Sequence, residues 1–474
     1  MKVAILSSEV VPFAKTGGLA DVAGALPKAL REHTVDANVV LPLYQQIDRR
    51  FLKNEVIEVR VDWRGQSRLT KFFQSDASGA PAYLIDAPEY FARDKIYGFV
   101  DDHERFAFFG RAALTLLRYL GAPPDIVHGN DWPCGFATVE LRARRRFDPF
   151  FEKTRTLFSV HNLAYQGRFD PNHLWWLGFD DYRDKNDFML DGAASALKAG
   201  LMTADALSTV SRRYAFEIQT PEQGYSLDWL LRMRSGRLVG ITNGVDYDVW
   251  NPETDPHIAA HFSVNDLSGK RACKLDLLRR FALPEEVDRP LIAIISRLVA
   301  QKGYELIEPL ARAILDSGCF FIALGAGERR YEDFLQSWHD HAPHRVGIYK
   351  GYAGEPLAHQ IEAGADMFLM PSHYEPCGLN QMYSMRYGTV PVVRATGGLD
   401  DTVENFNEPR GTGNGFKFHV YTPGALLEKI HEALYFYGRP DAWSMIQRNG
   451  MRADNSWSAV AWKYIELYQL VLGL

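Results

Sequence analysis

The feature that most restricts the possible folds is the run Leu291-Ile292-Ala293-Ile294-Ile295, which is apolar on both faces. A strand with one wet face alternates polar and apolar residues, whereas a strand apolar throughout must be covered above and below, as in the middle of a parallel sheet. Similar runs recur at Phe320 to Leu324, Met367 to Met370 and Val390 to Val393. An earlier series is expected at Lys2 to Leu6, Ala82 to Ile85, Asp125 to His128, Thr156 to Val160 and Ala206 to Val210. Leu19, Val22, Ala23, Leu26 and Leu30 recur at helical spacing after the first strand, following a loop that holds Lys15-Thr16-Gly17-Gly18. Buried strands alternating with amphipathic helices predict an α/β protein with two doubly wound halves. The hinge is expected at Asn243-Gly244-Val245-Asp246 and the Pro-, Asp- and His-rich stretch that follows it to residue 263. A last helix presents Ala461, Tyr464, Ile465, Tyr468, Val471 and Leu472 on one face. Ligands of such folds bind beyond the carboxyl ends of the strands, so the active site is expected between the halves.

Charge and cysteine usage exclude several other roles. The 474 residues carry 53 Lys+Arg against 59 Asp+Glu, a formal net charge of −6, which removes the electrostatic motive for general nucleic-acid or anionic-membrane binding. No apolar run approaches the roughly 18 residues of a membrane helix, and MKVAILSSEV enters a strand without a basic region or cleavage site. Cys134, Cys273, Cys319 and Cys377 form no Cys-x-x-Cys pair, so neither a zinc knuckle nor a disulfide framework is signalled. These features predict a cytoplasmic protein without nucleic-acid or membrane partners.

Several segments could carry chemistry. Lys15-Thr16-Gly17-Gly18 lies between a strand and a helix, where amides can face an anion, although a simple turn with a solvated lysine has the same pattern. The order is wrong for a P-loop, and no Gly-x-Gly-x-x-Gly fingerprint is present. In Ser296-Arg297-Leu298-Val299-Ala300-Gln301-Lys302-Gly303 two cations stand five residues apart at a strand's carboxyl end. They could grip a diphosphate, each charge pair contributing on the order of 4 kcal/mol at about 4 Å before desolvation, or be ordinary surface charges.

Glu375 precedes Cys377-Gly378-Leu379-Asn380 near an expected helix start, where it is either a capping carboxylate or a ligand-holding one, and Cys377 reads as a small buried residue. Thr396-Gly397-Gly398-Leu399 echoes Thr16-Gly17-Gly18-Leu19, as a second anion-facing loop or a turn. His161-Asn162 and Asp131-Trp132 follow strands and could hydrogen-bond or stack on a sugar, or serve structure alone. No His, Asp or Glu cluster has metal-ligand spacing, so neither a metal nor a cofactor is expected.

Taken together, KTGGLADV at 15–22, SVHNLAYQG at 159–167, ITNGVDYDVWNP at 241–252, SRLVAQKG at 296–303, EPCGLNQMY at 375–383 and TGGLDDTV at 396–403 resemble the bacterial and plant glycogen/starch synthases. These are retaining glucosyltransferases of the two-domain GT-B architecture. The resemblance implies transfer of glucose from ADP-glucose to the non-reducing end of glycogen or a malto-oligosaccharide. It implies an acceptor-side domain of residues 1–242 to which a helix 457–474 returns, and a nucleotide-sugar-binding domain of residues 243–456 facing it across a deep cleft.

Residue by residue, it implies that Lys15 and Asp21, with Gly17 and Gly18, contact the nucleotide sugar. Arg297 and Lys302 would neutralise the diphosphate, and Glu375 would hold glucose hydroxyls while the amides from Cys377 to Leu379 support the same ring. His161 and Asn243 would line the donor glucose pocket near C1, beside Asp131 and Asn162, and Tyr97 and Tyr352 match the family's aromatic contacts to donor sugar and base. Relatives outside this branch carry a second glutamate where this chain has Tyr383, and Asn380 stands where threonine is common, so contacts to ribose and phosphate at these positions are expected to differ.

Overall fold

The computed structural model describes residues 1–179, 182–351 and 354–474, and the side chains of all of these except 182–184 and 355. The chain divides into two compact units, one of Met1–Gly244 with Trp457–Leu474 and the other of Val245–Ser456.

The first unit is built on the strands β1 (Lys2–Leu6), β2 (Asp36–Pro42), β3 (Val56–Trp63), β4 (Gln66–Ser75), β5 (Ala82–Asp86), β6 (Ile126–Asn130), β7 (Arg155–Val160), β11 (Ala206–Thr209) and β12 (Leu238–Gly240). A small separate sheet holds β8 (Arg168–Phe169), β9 (Met189–Leu190) and β10 (Ala193–Ser195). The large sheet has the order β12-β11-β7-β6-β1-β2-β5-β4-β3. All neighbours are parallel except β4, which runs antiparallel to both β5 and β3. The β3–β4 hairpin and β2 are additions to the strands expected from apolar runs. Arg64 and Gly65, both at positive φ, make the two-residue hairpin turn.

The second unit contains β13 (Leu291–Ile295), β14 (Phe320–Gly325), β15 (Val346–Lys350), β16 (Met367–Met370), β17 (Val390–Arg394) and β18 (Phe416–Phe418), in one parallel sheet of order β15-β14-β13-β16-β17-β18. The order of each large sheet reverses next to its first strand, the arrangement in which ligands meet the carboxyl edge. The double-faced apolar run explains itself here. Ile292 and Ile294 enter one core layer with Phe321, Met367 and Val390, while Leu291 and Ala293 enter the opposite layer with Phe320, Ile322 and Phe368. Each large side chain so buried contributes about 1.5–3 kcal/mol, and a polar residue at any of these positions would lack a wet face.

Leu19, Val22, Ala23, Leu26 and Leu30 are buried in the helix Gly18–Glu32. The helix Trp457–Leu472 packs on that helix, with His33 against Trp462 at 4.4 Å between ring centroids. It also reaches the sheet, where the Tyr468 hydroxyl meets Nδ1 of His128 at 2.8 Å. Gly244 lies against the Trp457 ring so closely that a Cβ there would stand 2.7 Å from it.

Candidate active site

In the first unit the chain leaves β1 through Ser7, Ser8 and Glu9. Glu9 is buried and gathers the loop that follows. Its carboxylate accepts from the amides of Thr16 at 2.5 Å and Gly17 at 3.0 Å, from the Thr16 hydroxyl at 2.7 Å and from the Tyr97 hydroxyl at 2.7 Å. Those amides are therefore organised by an internal anion, and the Tyr97 ring is placed 6.0 Å from Trp132. Burial and the negative charge of Glu9 push the Tyr97 hydroxyl well above its ordinary pKa, so it stays a donor. Lys15 pairs with Asp21 at 2.6 Å on the exposed side of the loop, and Gly18 begins the helix. A pair this exposed adds little stability, which leaves Lys15 available to exchange partners.

The carboxyl ends of β6 and β7 supply Asp131, His161 and Asn162. Asp131 has φ 55, a conformation costly for a residue with a Cβ, and is held by its amide to the Ser159 carbonyl at 2.9 Å. Its carboxylate accepts the amide of His161 at 2.7 Å. Burial pushes the Asp131 carboxyl up to about 7, against the amides of His161 and Asn162, which favour the anion. Burial draws His161 down to about 4, so its imidazole is neutral at pH 7. Asn130 donates through Nδ2 to the Leu6 carbonyl, which turns its Oδ1 to His161 Nε2 at 2.9 Å. Nε2 must then carry the proton, and Nδ1 is the acceptor.

Asn162 closes a turn by accepting the Ala164 amide at 3.1 Å. The end of that loop is packed on Trp132, because Gly167 has φ +56 and a Cβ there would meet the indole at 2.3 Å. Asn243 is buried with a side-chain oxygen that no donor reaches among the described residues. An acceptor left in this way can take a hydroxyl or amide donor.

In the second unit two loops at the sheet's carboxyl edge are locked together. Gln301 receives Arg297 Nη2 at 3.2 Å, donates to the Tyr374 carbonyl at 3.1 Å, and its own carbonyl accepts the His373 amide at 2.8 Å. Gly303 adopts φ +79 with its Cα facing the Pro371 carbonyl, where a Cβ would lie 2.1 Å from the oxygen. These contacts set Lys302 Nζ 2.5 Å from Glu375 Oε2, to which the Ser372 hydroxyl also donates at 3.0 Å. Lys302 is largely buried, whereas Arg297 is exposed and held through Gln301.

Cys377, Gly378 and Leu379 form the turn into the helix Asn380–Arg386, braced by Gln381, whose Nε2 donates to the carbonyls of Cys377 and Gly378. Cys377 is buried, as expected of a packing residue. Asn380 donates through Nδ2 to the Ile295 carbonyl at 3.3 Å, tying the helix start to the end of β13. Tyr383 stacks on Trp250 at 3.9 Å and 4°, and the other face of Trp250 carries His359 at 3.8 Å and 11°. Tyr352 lies outside the described residues. Among the described residues, no group of three or more His, Cys, Asp or Glu comes together to hold a metal ion, and no helix is long and apolar enough to cross a membrane.

Comparison with known proteins finds relatives along nearly the whole chain. The family described as starch synthase catalytic domain matches residues 2–233, and that described as glycosyl transferases group 1 matches residues 278–447. A glycogen synthase of Koribacter versatilis is 44% identical over 99% of this chain and 98% of its own, and one of Anoxybacillus flavithermus is 44% identical over 100% and 98%. The chain belongs to the glycogen synthase family. It is thus a glycosyltransferase. The catalytic domain of starch synthase IV from Arabidopsis thaliana, solved bound to ADP and acarbose, superposes with a TM-score of 0.90 at 33% identity, covering 100% of this chain and 99% of that one. Sucrose-phosphate synthase from Thermosynechococcus elongatus shares the fold, with a TM-score of 0.62 at 18% identity.

Three residues that organise these loops escaped the sequence reading. Glu9 had a signal, a carboxylate directly after a buried strand and seven residues before the first Thr-Gly-Gly. Gln301 and Trp250 had none, because their partners lie 73 and 133 residues away, at Tyr374 and Tyr383.

Proposed function

We propose that this chain transfers glucose from ADP-glucose to the non-reducing end of an α-1,4-glucan, glycogen or a malto-oligosaccharide, with retention of configuration and release of ADP, in the cytoplasm. The observation that carries the reading is the Lys302–Glu375 pair beside Arg297 at the carboxyl edge of β13. The choice of nucleotide is supported by the ADP bound to the Arabidopsis starch synthase IV domain.

Cleavage of the C1–O bond builds positive charge on the sugar and negative charge on the departing diphosphate. Cations already in place favour that state over the ground state because no reorganisation is needed as the charge appears. Arg297 supplies a planar fork for two phosphate oxygens and Lys302 a compact charge. Both Glu375 contacts fall on Oε2, so Oε1 is the oxygen that accepts glucose hydroxyls, with the amides of Cys377 to Leu379 supporting the ring. Asn380 and Tyr383 act by holding this turn through Ile295 and Trp250.

In the first unit, Lys15 exchanges Asp21 for phosphate, and the neutral His161 offers Nδ1 as an acceptor near C1 rather than a second positive charge. Asn243 uses its unmatched oxygen for a donor hydroxyl, and Asp131, Asn162 and Tyr97 hold that wall in shape. The acceptor hydroxyl attacks on the face from which ADP leaves, and the departing phosphate oxygen takes its proton. That path needs no carboxylate on the far face, in contrast to double displacement.

The test is incorporation of labelled glucose into glycogen from ADP-glucose and from UDP-glucose, each with and without chelator. Transfer from ADP-glucose that survives chelation is expected. Transfer from neither donor refutes the reading, and loss on chelation refutes leaving-group stabilisation by side chains alone.

A further inference from the structure

Two consecutive residues at the carboxyl end of β6, Asn130 and Asp131, both accept from His161 and divide it between them. The Asp131 carboxylate takes the main-chain amide at 2.7 Å. The Asn130 side-chain oxygen takes the ring, 2.9 Å from Nε2. The charged acceptor is thus spent on the backbone and the neutral one on the imidazole. That division governs the charge of the ring, because a carboxylate bonded to an imidazole raises its pKa by roughly 1–3 and an amide leaves burial to prevail. Among the described residues nothing bonds the other ring nitrogen, Nδ1.

Asn130 cannot turn its amide round. Nδ2 donates to the Leu6 carbonyl at 3.0 Å and to the His128 carbonyl at 3.4 Å. A half-turn would set the amide oxygen against two carbonyls that have no proton to give. Asn130 is only 1% exposed, so water could not make good the loss. The Leu6 carbonyl ends β1 and also receives the Cys134 thiol at 3.2 Å. The titratable neighbours do not charge the ring. His128 is engaged by Tyr468 and Ser159, and burial holds it at about 3. Glu9 spends its carboxylate on Thr16, Gly17 and Tyr97, and Asp131 faces the His161 and Asn162 amides.

We propose that Asn130 is a positioning residue for glucosyl transfer: its locked oxygen fixes the His161 proton on Nε2, keeps the ring uncharged and leaves Nδ1 as the lone pair offered to the donor sugar. The role rests on the reading of His161 as part of the donor pocket, and it gives control of that residue's proton to its buried partner. It also explains why an amide rather than a carboxylate stands at this position. A second carboxylate here would make the imidazole a cation in the range where Asp131 titrates, and a cation has no lone pair to offer.

The test reads the imidazole nitrogens by NMR in the full chain made with ring-labelled histidine, the His161 signals being those lost in His161→Gln. The wild type should show one neutral form, protonated on Nε2, at every pH above about 5. In Asn130→Ala nothing holds the proton there, so both neutral tautomers should appear and kcat should fall several-fold at all pH values. In Asn130→Asp the ring should titrate higher by roughly 1–3 pH units, and turnover relative to wild type should be roughly tenfold lower near pH 6, the gap narrowing toward pH 8. A merely structural asparagine would lower the melting temperature of both variants and move neither the proton nor the pH profile. A wild-type ring protonated on Nδ1, an Asn130→Ala ring that keeps one Nε2–H form, or an Asn130→Asp loss equal at all pH values overturns the role. If the wild type transfers glucose to no acceptor, the transfer reading fails, while the nitrogen signals still decide whether Asn130 sets the tautomer. Should one variant lose its cooperative melt, the wild-type spectrum and the other variant carry the decision.

Discussion

The two Thr-Gly-Gly-Leu loops have the same four residues and opposite constructions. At 16–19 the amides of Thr16 and Gly17 converge on a side-chain carboxylate, Glu9. At 396–399 the amide of Gly398 instead donates to the main-chain carbonyls of Glu375 and Pro376. Gly17 is extended, with φ −153, and has open space where a Cβ would be. Gly397 has φ +45, and a Cβ there would lie 1.8 Å from the Glu375 oxygen. The second loop is packed on the backbone of Glu375 itself. A short motif therefore states that the chain must bend closely before a helix, and its surroundings decide what the closeness is for.

The comparison is broken most directly at Gly397. Gly397→Ala should cost about 3 kcal/mol or more in urea unfolding, since the methyl group can fit only if the Glu375 backbone moves. A melt like that of the wild type would show that the loop is not braced in this way. Lys302→Ala tests what that brace positions. Turnover at saturating donor should fall by roughly 10², the scale for one preorganised charge contact, and near-normal kcat would remove Lys302 from the reaction.

Glu9→Gln sharpens the first loop. One amide oxygen replaces two carboxylate oxygens and an NH2 group faces existing donors, so about 2 kcal/mol of stability and part of the donor affinity should be lost. Unchanged unfolding would mean that the loop amides find equal partners without Glu9.

Asp131→Asn should act through pH. The folded carboxyl titrates at about 7, above its ordinary 3.8, so the folded state binds this proton more tightly than the unfolded chain does. The stability of the wild type relative to the variant should therefore fall as pH rises from about 4 to 7 and then level. Turnover should rise through an inflection near pH 7 as the anion takes up the His161 and Asn162 amides, and the variant should lack that inflection. A profile unchanged by the substitution would put the ionisation elsewhere. The smallest effect belongs to Gly17→Ala, within about 0.5 kcal/mol, because the extended backbone and open space accept a methyl group. A loss comparable to that at Gly397 would erase the contrast between the loops.

Much of the fold was legible because hydrophobic periodicity is a local property. Leu291 to Ile295 had to be a two-faced strand, and Leu19 to Leu30 a one-faced helix, whatever lay around them. The candidate site was legible where residues fall on loops after strands, as with His161, Arg297 and Glu375. It was not legible where one residue's conformation is set by a distant partner. Nothing near Gln301 announces that it links the cation loop to Tyr374, and nothing near Trp250 announces that it lies between Tyr383 and His359. The β3–β4 hairpin was missed for a related reason, since it turns on Arg64-Gly65 rather than on a familiar Asn-Gly pair.

By itself the sequence determined the succession of strands and helices, the positions of the loops that follow the strands, and the family. Apolar spacing and the order of residues along a chain act over a turn or a strand and survive without knowledge of neighbours. Only the tertiary structure decided which carboxylate serves which loop, that His161 is neutral with its proton on Nε2, and that Gly397 is obligatory while Gly17 is not. Those properties depend on burial and on contacts between residues far apart in the chain, and these exist only once the sheets have formed.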